Sequence, residues 1–245
     1  LCLAEDYETA DSLLAGIKAR DIQNNGKKAL YYLLKTQTEL SVDRSTTNDS
    51  LITFCVDYYE HMKDYENLAR AYYYKGIYLY YNDKVDEAII FIKKAEKTVK
   101  KAQNDRLRYL IYANLSYLNS AVGANRMALE YAQKALAYAV KQNNISGLCF
   151  AYNCIASSYE GMGMMDSAIV NIKRIRPYLN RITDKMERAG YMTNIGYACY
   201  ENGLYHEADT LLRQAAMLYQ APMININLAK NCYMLGKDHE ADSLV

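Results

Sequence analysis

Glycine and alanine return in fixed register along most of this chain. Gly123, Gly163 and Gly203 lie forty residues apart, Gly236 follows thirty-three later, and five residues beyond them come Ala128, Ala168, Ala208 and Ala241. Ala88 extends the series forty residues upstream, where Asn82-Asp83 replaces the glycine. Twelve residues before these alanines stand Gly76, Ser116, Ala156, Gly196 and Ala229, and seven after them Ala95, Ala135, Ile175 and Ala215. Self-similarity at such a period requires one structural unit to be repeated. The usual figure of roughly 150 residues per domain therefore does not apply.

The stretch from Ala189 to Tyr219 defines the unit. Met192, Ile195, Gly196 and Cys199 form one helical stripe, Ala208, Leu212 and Ala215 a second, and Asn202-Gly203 joins them. It reads as a helical hairpin, with Gly196 and Ala208 placed so that the two backbones approach closely. Only 2 prolines and 11 glycines interrupt 245 residues, so long helices with short turns are expected throughout.

The N-terminal third follows the same plan less regularly. Tyr7 to Leu14 matches Tyr205 to Leu212 and reads as the second helix of an incomplete unit; a helix is expected from about Lys27 to Ser41. Val42 to Asn48 reads as a loop, with Thr47 or Asn48 capping a helix that carries Leu51, Phe54, Cys55 and Tyr58. The expected division is residues 1–64 as degenerate repeats and 65–245 as a regular array, in units of about 69–108, 109–148, 149–188, 189–221 and a truncated 222–245. Pro222 suits the first turn of a helix, whereas Pro177 should bend or end a helix near Arg176.

This register resembles the tetratricopeptide repeat, with its small residue, glycine and two alanines. The resemblance runs from about Ala69 to Val245 and implies an all-α, right-handed superhelical solenoid of antiparallel helix pairs. Forty-residue units exceed the family's thirty-four, so longer helices or longer inter-repeat loops are expected. Ala29 to Lys35, Ser50 to Glu60 and Leu68 to Gly76 also resemble bacterial repeat proteins that are exported and anchored to a membrane. That likeness implies an extracytoplasmic, periplasmic setting, with the membrane reached only through an anchor outside this segment; whether Cys2 is a lipid-attachment remnant stays open at the level of sequence.

Charge and composition narrow the function classes. The balance of 29 basic and 28 acidic residues lacks the footprint of a nucleic-acid binder, and no apolar run reaches the ~18 residues that cross a bilayer. Cys55, Cys149, Cys154, Cys199 and Cys232 fall within amphipathic patterns and read as core. His61, His206 and His239 are scattered, without metal-ligand spacing, and no phosphate loop or nucleophile elbow is present. Lys93, Lys94, Lys97, Lys100 and Lys101 read as a solvated face. No cofactor, metal or catalytic residue is expected.

The resemblance implies that first helices line a concave groove. Carried over position by position, the groove residues are Arg70, Tyr73, Ile77, Tyr80, Tyr117, Phe150, Asn153, Tyr197, Tyr200, Lys230 and Tyr233. Tyrosine supplies wide contact area with few rotatable angles, which suits recognition of a protein or peptide. The family's carboxylate clamp is not matched, since Ile77, Ser157, Gly190, Thr193 and Tyr197 stand at most of its positions, and Asn114, Asn194 and Asn227 read as partners of neighbouring backbone. The expected function is a non-catalytic protein- or peptide-binding scaffold, the extracytoplasmic part of a membrane-anchored sensing or scaffolding protein. The alternative is a cytoplasmic signalling protein whose repeats bind a peptide signal and regulate an effector domain.

Overall fold

The structure, a computed structural model, describes residues 6–42 and 49–244, so the expected caps Thr47 and Asn48, and Cys2, lie outside the described residues. Every regular element among the described residues is helical. The chain forms two compact units, Leu1–Leu118 and Asn119–Val245. The first holds α1 (Tyr7–Ala15), α2 (Asn25–Val42), α3 (Asp49–Met62), α4 (Tyr65–Tyr81), α5 (Val85–Val99) and most of α6 (Asp105–Ala121). The second holds α7 (Asn125–Lys141), α8 (Ile145–Gly161), α9 (Met165–Lys173), α10 (Lys185–Glu201), α11 (Tyr205–Leu218), α12 (Pro222–Met234) and α13 (Asp238–Ser243). Consecutive helices pack on each other from α1 to α5 and from α7 to α13, and first helices meet across repeats, α2 on α4 and α8 and α12 on α10.

The long period is absorbed by long helices. Those from α4 to α11 begin at residues 65, 85, 105, 125, 145, 165, 185 and 205, and α6, α7, α8 and α10 each run 17 residues between short turns. Two kinds of turn alternate. Entry to the first helices α2, α4, α6, α8 and α10 is capped by an Asn or Asp side chain: Asn24 accepts from the Lys27 N–H, Asp64 from Asn67, Asn104 from Leu107, Asn144 from Gly147 and Asp184 from Glu187, at 2.7–3.2 Å, whereas α12 opens on Pro222 without one. These five residues are themselves forty apart, and the register thus reaches back to Asn24. Each satisfies a donor that the helix start leaves unpaired.

Entry to the second helices α5, α7, α9, α11 and α13 has no side-chain cap. There a residue at φ between +60 and +76° reverses the chain: Asp83, Gly123, Gly163, Gly203 and Gly236. Backbone bonds close this turn, as when Leu204 N–H donates to Cys199 C=O at 2.9 Å. Lys63 and Asn143 also take positive φ, each just before a capping residue, at a steric cost glycine would not incur.

Close packing uses the small residues as the register requires. Ala88, Ala128, Ala208 and Ala241 are fully buried and Ala168 nearly so. A Cβ on Gly76 would collide with Ile92, and one on Gly196 would lie 2.9 Å from Leu212 Cγ. Those two large side chains fill the space the glycines vacate. Cys55, Cys149, Cys154, Cys199 and Cys232 are buried free thiols, and burial pushes Cys55 up to about 12 and Cys199 to about 11. The three histidines are exposed.

The prolines act as expected, with one shift. Pro222 opens α12. Pro177 ends α9 at Lys173, three residues earlier than expected, because its ring occupies the space of the carbonyl four residues back. A 3-10 helix, Arg176–Arg181, follows and carries Leu179 into the core. Among the described residues no helix is long and apolar enough to cross a membrane.

Candidate functional site

In the C-terminal unit, α8 and α10 stand side by side with α9 packed against both. The faces of α8 and α10 carry short side chains where they meet, so a pocket of about 180 Å³ remains. Ala156, Ala168, Ile169, Ile172 and Ala198 give it an apolar floor, and Asn153, Ser157, Glu160, Asn194, Tyr197 and Asn202 add polar groups. Asn194 Nδ2 donates to Asn153 Oδ1 at 2.8 Å, linking the two helices. Asn194 Oδ1 and Asn153 Nδ2 stay available as acceptor and donor. Asn202 is turned back on its own helix, donating to Ala198 C=O at 2.8 Å.

Electrostatics at the pocket are set by carboxylates. Partial burial, then the nearby Glu201 charge, hold the Glu160 carboxyl above the usual carboxylate range. The Tyr197 phenol is also raised, first by burial and then by Glu201, to which its hydroxyl donates. No Lys or Arg is among the described residues that line the pocket.

Only Asn153 and Tyr197 of the expected groove residues line this pocket. Phe150 packs half-buried against Ala132, Cys154 and Ile155, and Tyr200 sits edge-on to Tyr205 with ring centroids 5.8 Å apart. Lys230 is exposed; Tyr233 is half exposed, and its hydroxyl donates to Asp242. In the N-terminal unit, Tyr73 and Ile77 are buried, which departs from a groove-lining role. Tyr73 packs on Tyr74 with centroids 5.0 Å apart, and its hydroxyl accepts from Asn114 Nδ2 at 3.0 Å.

Arg70 is spent on neutral partners, Gln37 at 2.8 Å and Asn67 at 3.0 Å. It borders a cavity of about 50 Å³. That is space for a water or two. Tyr80 and Tyr117 close on each other, hydroxyls 3.0 Å apart and rings edge to face.

Asn194 departs from its reading as a partner of neighbouring backbone, since its partner is another side chain, Asn153. Asn114 does both, donating to Leu110 C=O and to Tyr73. Among the contributors from α9, Ala168 stands out in the sequence as a small packing residue, whereas Met165, Ile169 and Ile172 carry no signal there. Ser157 and Glu160 stand at groove positions of the same alignment, four and seven residues after Asn153.

No protein-family model and no curated protein matches the chain in sequence. Solved structures do match in fold. The Rap protein complexed with competence and sporulation factor has a TM-score of 0.75 at 18% identity, over 100% of this chain and 71% of that one. NprR in complex with its cognate peptide NprX gives 0.69 at 17%, over 99% and 73%. A signal-transduction ATPase with a tetratricopeptide repeat sensor, from Pyrococcus horikoshii, gives 0.79 at 16%, over 99% of this chain and 39% of that one.

Proposed function

We propose that this chain, which has the tetratricopeptide-repeat fold, is a non-catalytic recognition module that takes an extended protein or peptide segment against α8 and α10, as the sensing part of a signalling protein. The observation that carries the reading is the Asn153–Asn194 amide pair beside an apolar floor. A carboxamide offers one donor edge and one acceptor, the complement of a peptide group, so two of them can hold an extended backbone while apolar side chains settle on the floor. The solved structures support the sensor reading in kind: one is a complex with a cognate peptide, and another carries a repeat sensor. They favour a signalling sensor over a membrane-anchored scaffold.

The test is selection of random peptides displayed on phage against the purified chain, then against the double variant Asn153→Ala, Asn194→Ala. Peptides enriched on the natural chain should lose binding to the variant. Enrichment of none, or equal binding to both proteins, would overturn the assignment.

A further inference from the structure

The pocket's charge is one-sided. Glu160 is the single charged residue on its lining, and Glu201, one helix across, is close enough to disfavour its ionisation. Neither carboxylate has a cation within ion-pair distance among the described residues. Three other acidic side chains of the same unit are matched: Glu207 meets Lys173 and Arg176, and Asp209 and Glu240 meet Arg213. Two neighbouring carboxylates without an ion-pair partner, Glu160 on the cavity lining and the exposed Glu201 beside it, are complementary to an incoming positive charge.

Register adds geometry. Glu160 follows Asn153 by seven residues on α8, and Glu201 follows Asn194 by seven on α10. Amides and carboxylates therefore form two rungs across one pair of helices, about 10.5 Å apart along the axes at 1.5 Å per residue. An extended peptide covers that in roughly three residues. Between the rungs lie Ala156, Ala198 and the Tyr197 ring, apolar surface that suits the methylene stem of a long cationic side chain.

We propose that the occupant is an extended peptide that places a Lys or Arg side chain between Glu160 and Glu201, with its backbone held by Asn153 and Asn194. The inference rests on the recognition role proposed above and names the partner's chemistry. A peptide's terminal ammonium lacks the stem that the apolar stretch would cover, so the side chain is the source the surface favours.

The experiment uses the whole chain and short degenerate peptide libraries, acetylated and amidated at their ends, with Arg, Lys, Met or Glu fixed at one central position. Retention on the immobilised protein is read by mass spectrometry. Arg and Lys libraries should be retained roughly tenfold over Met, and Glu least. In the double variant Glu160→Gln, Glu201→Gln, which keeps side-chain shape, the Met library should bind as before and the cationic preference should vanish; unchanged helical circular dichroism certifies the fold. Equal retention of Arg and Met overturns this inference and leaves the recognition role standing, as does a preference that survives in the variant. Binding confined to peptides with a free amino end transfers the charge to the terminus and defeats the side-chain proposal. Retention of no library by the natural chain overturns both proposals.

Discussion

The two compact units place different residues at equivalent points of one repeat. Tyr73, Ile77 and Tyr80 on α4 correspond, eighty residues on, to Asn153, Ser157 and Glu160 on α8. The large residues of the N-terminal unit are consumed internally: Tyr73 is buried under Asn114, Tyr80 closes on Tyr117, and Arg70 is held by Gln37. The short ones of the C-terminal unit leave a pocket edged by amides and a carboxylate. Aromatic richness at the aligned groove positions is thus a poor guide to where open space remains. Side chains long enough to reach one another satisfy one another, and space appears where they are too short to do so.

The largest expected effect tests that contrast in stability. Tyr73→Ala should cost about 3–5 kcal/mol, the range for deleting a buried aromatic, whereas Tyr197→Ala, half-buried at the pocket, should cost about 1 kcal/mol. Urea denaturation of both variants measures the gap, and similar losses would erase the distinction between the units. Next, Ser157→Ile transplants the residue of the N-terminal unit into the pocket. It should lower peptide retention about tenfold or more while changing stability by no more than about 0.5 kcal/mol, because Ser157 is exposed.

A smaller effect is expected of Asn194→Ala, which removes the amide bridge and should cost about 1 kcal/mol of stability together with the loss of peptide binding. The smallest is a pH dependence. Glu160 holds its proton more tightly folded than unfolded, so the native state binds more protons and stability falls as pH rises from the unfolded carboxyl pKa through the raised folded one. Glu160→Gln should flatten that part of the stability profile, measured by thermal melts across acidic pH, and an unchanged profile would place the effect elsewhere.

Much of the fold was legible in the sequence because it depends on residues that cannot be exchanged. Only a small side chain fits at Gly76 or Gly196 against Ile92 or Leu212, glycine relieves the strain of the reversed turns, and proline stops α9 and starts α12. The forty-residue series of Asn and Asp caps was equally present but lies in the turns, outside the apolar pattern that was aligned. Positive φ at Lys63 has no such signature, whereas at Asn143 it falls on a residue type that tolerates the left-handed region.

The candidate site was less legible. Burial of Tyr73 and Ile77 depends on what neighbouring helices place beside them, and Met165, Ile169 and Ile172 join the pocket from a helix whose residues read as core. Position within a repeat gives the direction of a side chain. It does not give the size of what stands opposite.

The alternation of capped and glycine-reversed turns has a genetic corollary. Because every first helix from α2 to α10 opens on the same kind of junction forty residues after the last, cutting at any two successive junctions and rejoining them restores an Asn or Asp ahead of a helix start. Recombination between such junctions lengthens or shortens the array by whole hairpins without creating a novel seam. A chain built this way can vary in reach across generations while each hairpin keeps neighbours of a familiar kind.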